Sequence, residues 1–235
     1  GGVGNTTLAQ KIYNDQRIKG NFSKHAWICV SKDYSEVSLL KEVLRNVGVY
    51  HEQGETVGEL QSKLEAAIEG ENLLLVLDDV WQPDVRTNLL RIPLHAATTK
   101  MIVVTTRHDT VARAIGMEDV HEFVVHRVEL LSEDVGCELL WKSMDIIDEK
   151  EVHNLQGMGM EIVRKCGGLP LAIRAIAGVL ATKEKTENQW GKILSSNAWS
   201  VSNLPVELTG ALYLSYDELP QNLKQCFLYC ALFPE

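Results

Sequence analysis

The sequence has none of the features that mark membrane-spanning, secreted or repetitive proteins. No stretch approaches the roughly 18 consecutive apolar residues that a membrane-spanning helix needs. The first residues show no basic segment followed by an apolar core, so no secretory signal peptide is visible. There is no internal repeat and no low-complexity segment. The composition, with 45% hydrophobic and 23% charged residues, is typical of a globular protein, and 235 residues suffice to bury a sizeable core.

An excess of basic residues is also missing. The formal net charge of −9 argues against general nucleic-acid binding, because a protein that neutralises phosphates presents a basic face. The cysteines are odd in number and lack a Cys-x-x-Cys spacing, which indicates neither a zinc site nor a disulfide framework. They are Cys29, Cys137, Cys166, Cys226 and Cys230. We expect them to be reduced in an intracellular protein. Cys226 and Cys230, four apart on a predicted helix, are expected to face the core rather than to form half of a metal site.

The most informative absence is a single lysine. Residues 1–7 read Gly-Gly-Val-Gly-Asn-Thr-Thr, which is similar to the Walker A loop, Gly, four residues, then Gly-Lys-Ser/Thr. In that loop backbone N–H groups surround the phosphates, the lysine reaches the terminal phosphates, and the hydroxyl holds Mg²⁺. Here Asn5 stands in the position of the lysine. The pattern's first glycine and the preceding strand would fall before residue 1, so we expect a piece of a longer protein.

The first half of the chain alternates predicted strands and helices. Short apolar runs predict buried strands at residues 25–30, 73–77 and 101–105. Apolar residues at helical spacing predict helices at residues 6–13, 37–47 and 57–68. The alternation predicts right-handed crossovers and an α/β fold, with a parallel sheet and helices on both faces.

Beyond residue 130 the strand signals end and helical patterns follow one another. Ser132 is a predicted N-cap, followed by two acidic residues that suit a helix N-terminus. Further helices are expected at residues 155–165, after Pro170, from Trp190 and at residues 219–232. The second part of the chain is therefore predicted to be helical, with a boundary near residue 130.

An apolar run at residues 73–77 ends on two carboxylates, Asp78 and Asp79. The carboxyl ends of strands in an open α/β sheet carry the ligand site, so one carboxylate is expected to hold Mg²⁺. The other would orient or deprotonate an attacking water. The alternative is a strand that meets a loop with two solvated aspartates. Their position downstream of a phosphate loop favours the functional interpretation.

Residues 101–107 place two threonines and Arg107 at the end of another buried strand. In P-loop enzymes an arginine there can sense or stabilise the terminal phosphate. Spacing alone favours the alternative, a surface arginine paired with Asp109.

Residues 166–172, Cys-Gly-Gly-Leu-Pro-Leu-Ala, show no evident chemistry. Glycines suit the end of one helix and Pro170 suits the first turn of the next, so the pattern predicts a tight corner between two helices.

Six blocks, taken in order, resemble the NB-ARC nucleotide-binding module of plant intracellular immune receptors, the nucleotide-binding leucine-rich-repeat class. The blocks are residues 1–7, 22–30, 73–81, 101–107, 166–172 and 226–235. Trp81 and the string that begins at Ala26 look like the coiled-coil-bearing subclass. The resemblance implies a P-loop NTPase fold whose first strand is missing here. Since that strand is central, unpaired backbone groups are expected in the middle of the sheet.

The resemblance also implies three parts for the chain. A nucleotide-binding P-loop subdomain, truncated at its N-terminus, would cover residues 1–130. A helical, ARC1-like subdomain would cover residues 131–205. The start of a winged-helix, ARC2-like subdomain, truncated at its C-terminus, would cover residues 206–235.

Roles for individual residues follow from the same resemblance. Implied cofactor-binding residues are Gly1, Gly2, Val3, Gly4, Asn5, Thr6, Thr7, Arg107 and Pro170. Thr6 and Asp78 would serve Mg²⁺, and Asp79 would be the catalytic carboxylate. Arg107 would sense the phosphate, and Pro170 would pack near the adenine or ribose.

The implied function is a switch in the defence response, in which ADP holds the resting state and exchange for ATP accompanies activation and oligomerisation. The implied partners are ADP or ATP with Mg²⁺ and, in the intact receptor, its own leucine-rich repeats, its coiled-coil domain and further copies of itself. Neither nucleic acid nor a transmembrane segment is implied, and the location would be cytoplasmic.

Asn5 departs from the family pattern, because an amide is shorter than a lysine and carries no charge. A charge pair at 4 Å is worth about 4 kcal/mol at an effective dielectric of 20. The upper bound on lost phosphate affinity is therefore about three decades. Hydrolysis should suffer more, since the lysine's charge matters most where transition-state charge develops. The backbone N–H groups of the loop remain available for weak ADP binding.

Two other interpretations stay open. A degenerate copy would act as an interaction scaffold that contacts partner receptors without binding nucleotide. A partition-type ATPase shares the string Gly-Gly-Val-Gly-Lys-Thr-Thr, but the blocks at residues 166–172 and 226–235 argue against it. The affinity for ADP, compared with that of an Asn5→Lys variant, separates the switch from the scaffold.

Overall fold

The computed structural model describes residues 2–30, 32–82, 91–116, 123–147, 149–200, 206–230 and 232–233. The chain divides into two compact units. One contains Asn5–Arg127, and the other contains Gly2–Gly4 together with Val128–Glu235. Gly1, a predicted phosphate-binding residue, lies outside the described residues. No helix within the described ranges is long and apolar enough to cross a membrane.

The first unit is built on a parallel sheet of three strands in the order β1-β2-β3. The strands are β1 (Lys24–Cys29), β2 (Asn72–Asp78) and β3 (Thr99–Val104). Residues 73–78 of β2 are all buried, as expected for a central strand of a parallel sheet covered on both faces. The predicted α/β class is confirmed, and all three predicted strands are present.

The helices of the first unit lie between and after the strands. They are α1 (Asn5–Asn14), α2 (Gln16–Lys19), α3 (Glu36–Asn46), α4 (Val57–Ile68), α5 (Arg91–Leu94) and α6 (Asp109–Gly116). Helix α4 begins with a capping box, in which Thr56 and Glu59 satisfy each other's backbone N–H groups. Apolar residues of α3 and α4 are buried in one core with alternate residues of β2. This packing holds the strand ends in place.

The sheet corrects one expectation. Unpaired backbone groups were expected in its middle, yet β2 is bonded on both sides. Its register with β1 runs from Leu73, opposite Lys24, to Asp78, opposite Cys29. Its register with β3 runs from Asn72, opposite Thr99, to Leu77, opposite Val104. Direct pairing of β2 with β3 satisfies the backbone groups of the central strand, as burial demands.

The second unit is helical in the residues that the structure describes. Its helices are α7 (Glu133–Ser143), α8 (Gln156–Lys165), α9 (Pro170–Ala181), α10 (Glu187–Leu194), α11 (Val206–Asp217) and α12 (Gln221–Cys230), with 3-10 turns at Glu149–Leu155 and Asn197–Ser200. The predicted cap is present, since the Ser132 hydroxyl accepts from the Val135 N–H group. Trp141 and Trp190 stack with ring centroids 5.7 Å apart inside the core. The predicted subdomain boundaries stay predictions.

Helix α12 contradicts the expected environment of two cysteines. None of its residues is buried, and Cys226 and Cys230 are both exposed, so the prediction of a core-facing pair is wrong. The Cys230 thiol instead lies 3.4 Å from the Cys226 carbonyl oxygen, one helical turn away. In the described part of the chain, no group of three or more His, Cys, Asp or Glu side chains is placed to hold a metal ion.

The predicted corner between α8 and α9 is present. Gly167 and Gly168 have φ of +57° and +67°, and Pro170 occupies the first turn of α9. Gly168 accepts a hydrogen bond from the Leu131 N–H group at 2.9 Å. A Cβ atom on Gly168 would lie 2.3 Å from the Leu131 carbonyl oxygen. Only glycine fits here, because both the backbone conformation and the space exclude a side chain.

This close approach predicts that Gly168→Ala lowers the free energy of unfolding by about 2 kcal/mol or more, from the left-handed φ and the backbone clash. Gly178→Ala is the matched control, because Gly178 is exposed within α9 and a Cβ there meets nothing within 4 Å. It should raise stability by about 1 kcal/mol through helix propensity. Urea unfolding of both variants measures these changes. Equal free energies of unfolding for the two variants would contradict the close approach of Gly168 to Leu131.

Candidate functional site

The carboxyl ends of the three strands meet at one edge of the sheet. Two backbone hydrogen bonds continue the ladder just past the strands: Val30 N–H to Asp78 O and Val80 N–H to Thr105 O, both 2.8 Å. The polar residues that follow β2 and β3 are thereby fixed next to one another. In open α/β sheets this edge is where ligands bind.

Asp78 is the buried centre of this edge. Asp78 is only 5% exposed, and its Oδ1 atom accepts hydrogen bonds from two hydroxyl groups. Thr6 Oγ1 donates at 3.0 Å, and Thr105 Oγ1 donates at 2.5 Å. Thr6 lies in the first turn of α1, so the structure brings together the two predicted Mg²⁺ ligands. The alternative of a solvated aspartate is wrong for Asp78.

Asp79 is held in an unusual backbone conformation, with φ of +57°. Its N–H group donates to Thr105 Oγ1 at 2.8 Å, so one threonine hydroxyl serves both aspartates. The carboxylate of Asp79 points to Arg107, whose Nε and a terminal nitrogen lie 3.0 and 3.2 Å from its two oxygens. A non-glycine residue with positive φ is costly and is often found at functional sites.

Arg107 therefore does not form the ion pair with Asp109 that the alternative interpretation predicted. That alternative is wrong, because Asp109 pairs with Arg127 at 2.6 Å while Arg107 pairs with Asp79. The Arg107 side chain is 51% exposed and that of Asp79 is 32% exposed. Water therefore screens the pair, and opening it costs little.

Trp81 provides an aromatic surface beside this ion pair. The Arg107 guanidinium carbon lies 5.3 Å from the Trp81 ring centroid, and the Lys32 ammonium lies 5.8 Å from it. The His108 ring centroid lies 5.6 Å away. Both cations are within the range of cation–π attraction. The Trp81 ring, which follows β2, thus contacts side chains that follow β1 and β3.

Asn5, in the position of the expected lysine, is tied to the strand ends. Its amide nitrogen donates to the Thr106 carbonyl oxygen at 3.2 Å. Thr106 is itself fixed, since its hydroxyl donates to the Val80 carbonyl oxygen at 2.7 Å. The amide therefore anchors the start of α1 to the loop after β3. It brings no charge to the site.

Negative charge at the edge affects a neighbouring thiol. The pKa of Cys29 is raised, first by burial and then by the charges of Asp78, Asp79 and Glu42. Cys29 lies opposite Asp78 in the β1–β2 register. Both causes favour the protonated thiol, so this cysteine is a poor nucleophile at neutral pH.

The glycines of the loop belong to the second unit together with the corner before α9. Leu171 N–H donates to Gly2 O at 3.3 Å, and a Cβ on Gly2 would lie 2.8 Å from Leu171 Cβ. Gly2 and Gly4 have φ of +82° and +109°. Pro170, the neighbour of Leu171, begins α9. Its predicted contact with adenine or ribose stays a prediction, as do the phosphate contacts of Val3 and Thr7.

Sequence reasoning missed the parts played by Thr105, Trp81 and Lys32. Thr105 carried a weak signal, because it is a polar residue at the end of an apolar strand. In the sequence Trp81 indicated a subclass of the family and no contact at the site, and Lys32 carried no signal. Their positions depend on which strand ends are neighbours, which the sequence does not state.

The arrangement in the first unit defines a class of protein. A parallel sheet is combined with an acidic residue at the carboxyl end of its buried strand, bonded to a threonine in the first turn of α1. With the glycine-rich string before that helix, this is the P-loop NTPase class. The NB-ARC domain family matches residues 1–146, and the chain therefore belongs to that family.

Relatives match the chain along its whole length. It is 38% identical over 239 residues to "Disease resistance protein RGA2" of Solanum bulbocastanum, covering 100% of this chain and 24% of the relative. It is 34% identical over 247 residues to "Disease resistance RPP13-like protein 4" and 30% identical over 243 residues to "Disease resistance protein RPP13", both of Arabidopsis thaliana. Each of these matches covers 100% of this chain and 28% of the relative. The chain thus spans about a quarter of the length of the curated relatives it matches.

The double role of the Thr105 hydroxyl gives a direct test of the edge. Thr105→Val keeps the shape but leaves the Asp78 carboxylate without one donor and the Asp79 N–H group without its acceptor. We expect the free energy of unfolding to fall by about 2 kcal/mol, because buried polar groups are left without a hydrogen-bond partner. Thr105→Ser keeps the hydroxyl and should lose much less. Chemical denaturation measures both, and a small loss in Thr105→Val together with a large loss in Thr105→Ser would show that the methyl group, rather than the hydroxyl, stabilises the edge.

Proposed function

We propose that this chain is the nucleotide-binding switch segment of a plant disease-resistance receptor, which binds ADP or ATP with Mg²⁺. The observation that carries the proposal is the hydrogen bond between Thr6 and the buried Asp78 at the carboxyl edge of the sheet. Membership of the NB-ARC family and the names of the relatives support it.

The donor set at this edge fits Mg²⁺. The ion prefers oxygen ligands and takes few of them from the protein, typically one or two carboxylates plus phosphate oxygens and waters. The Thr6 hydroxyl and the Asp78 carboxylate are oxygen donors placed side by side. In this proposal they hold the ion, and the bound ion neutralises charge on the terminal phosphates of the nucleotide.

Hydrolysis is proposed to be impaired by the lack of charge at Asn5. Asn5 supplies no charge for the developing negative charge of the transition state, and its amide is already bonded to Thr106. Asp79, the proposed catalytic carboxylate, is paired with Arg107, the proposed phosphate sensor. Each of these two residues must leave the other before it acts on a nucleotide or a water, and this step costs little because water screens the pair.

The wider setting is also part of the proposal. We place the module in the cytoplasm, where its five free cysteines would stay reduced. Its proposed partners in the intact receptor are its own leucine-rich repeats and coiled-coil domain, with oligomerisation on activation. Membership of the family supports this part of the proposal, as does the length of the relatives, which are about four times longer than this chain.

One observation favours a second candidate, an interaction scaffold that binds no nucleotide. The side chains proposed to bind nucleotide already have partners within the protein. The Asn5 amide is bonded to the Thr106 carbonyl oxygen, and Arg107 is paired with Asp79. A site whose polar groups are already paired gains less from a ligand. Direct binding measurements separate the two candidates.

The test measures Mg²⁺–ADP affinity of this chain and of Asn5→Lys by calorimetry. We expect weak binding by the unchanged chain and tighter binding by the variant, by up to about three decades, because one charge pair at an effective dielectric of 20 is worth at most about 4 kcal/mol. ATP hydrolysis should rise by a larger factor. Asn14→Lys is the matched control, since it adds the same charge at the exposed far end of α1.

Each outcome separates two explanations. Equal affinities for the unchanged chain and Asn5→Lys would refute the proposed effect of Asn5 on phosphate binding. Absence of binding by both would favour the scaffold over the switch. A gain that Asn14→Lys reproduces would trace the effect to net charge rather than to the phosphate loop.

A further inference from the structure

We propose that Lys32 is a nucleotide-binding residue that supplies, beside Trp81, the positive charge that Asn5 does not bring to the terminal phosphate. The inference rests on the proposed function and extends it to a residue outside the phosphate loop. The shared chemistry is recognition of a nucleoside diphosphate by an ammonium group.

The balance of charges at the edge leads to this residue. Two carboxylates, Asp78 and Asp79, lie at the ends of the strands, and a polyphosphate would add further negative charge. Arg107 is one cation at this edge, and its charge is engaged by both oxygens of Asp79. Asn5 is neutral and bonded to Thr106. A further cation at this edge would therefore strengthen phosphate binding beyond what Mg²⁺ and the N–H groups of the loop supply.

Lys32 is placed to supply positive charge at this edge. It lies in the turn that follows β1, at the carboxyl edge of the sheet, where Val30 bonds to Asp78. It is exposed, and none of the ion pairs between described residues includes it. Its observed contact is the Trp81 ring, 5.8 Å from the ammonium. An ammonium over a ring keeps donors free for an anion, whereas one in an ion pair does not.

Trp81 makes the placement specific. The ring that contacts Lys32 also contacts Arg107, whose guanidinium carbon is 5.3 Å from the ring centroid. Arg107 contacts Asp79, and Asp79 follows Asp78, whose carboxylate is bonded to Thr6. The ammonium is thus joined to the proposed phosphate site through one continuous set of contacts. A lysine binds phosphate as a point charge on a flexible stem, so the ammonium can leave the ring for an anion at this edge.

The experiment compares Mg²⁺–ADP with AMP as probes, using calorimetry on the unchanged chain, Lys32→Gln and Lys32→Arg. Lys32→Gln should weaken ADP binding about tenfold, the fold-change of one charge-assisted hydrogen bond, and AMP binding less than about twofold. Lys32→Arg keeps the charge and should stay within about threefold of the unchanged chain. Because a smaller folded fraction would weaken both ligands equally, the ratio of the two affinities remains valid even for an unstable variant.

Lys24→Gln is the matched control. It removes the same charge in the same unit, but Lys24 begins β1, one strand length from the carboxyl edge, about 20 Å at 3.3 Å per residue. It should leave the ratio of ADP to AMP affinity unchanged. Raised salt should weaken ADP binding less in Lys32→Gln than in the unchanged chain, since one fewer charge is screened.

The failure of this inference is distinguishable from failure of the proposed function. If the unchanged chain binds ADP and Lys32→Gln keeps the same ratio of ADP to AMP affinity, the role of Lys32 is overturned, whereas the proposed nucleotide-binding function is not. If the unchanged chain does not bind ADP at all, the proposed function fails, and the role of Lys32 fails with it. A loss that Lys24→Gln shares would also overturn it.

Discussion

The buried carboxylate of Asp78 is the constraint on which the candidate site depends. A carboxylate at the end of an apolar strand is costly to bury unless its oxygens are hydrogen-bonded. Here two threonine hydroxyls, one from α1 and one from the loop after β3, bond to the same oxygen. The first helix and the third strand are therefore tied to the second strand at one atom. The Thr105 hydroxyl also accepts from the Asp79 N–H group, so the conformation of the next residue depends on the same contact.

Charge at this edge is arranged around a single aromatic ring. Arg107 is paired with Asp79, and Trp81 lies against both Arg107 and Lys32. The arrangement is exposed enough for water to screen it, so rearrangement is inexpensive. A buried ion pair would resist the approach of a charged ligand, whereas this one can exchange partners. Asn5 brings no charge to this edge, and its amide bonds to the loop after β3.

Much of the architecture was predictable, because long apolar runs and helical spacing report local structure. All three strands were predicted to within a few residues, and the three predicted helices of the first unit are present, whereas α2, α5 and α6 were not predicted. The predicted helix at residues 219–232 is shorter, at Gln221–Cys230, and α11 precedes it. Its cysteines were predicted to be buried on chemical grounds, yet α12 has no buried residue. Hydrophobic pattern indicates that a helix forms, but burial depends on what packs against it.

The sequence by itself determined the family, the class of fold and the adjacency of Thr6, Asp78 and the strand ends, because ordered motifs and periodicity are properties of the chain. Only the tertiary structure decided which side chains are paired with one another. Arg107 pairs with Asp79 rather than with the nearer Asp109, and the Asn5 amide reaches a carbonyl 101 residues away. Such choices depend on which strand ends are neighbours in the sheet. That neighbourhood comes from hydrogen bonding and burial across the whole unit, and no local pattern encodes it.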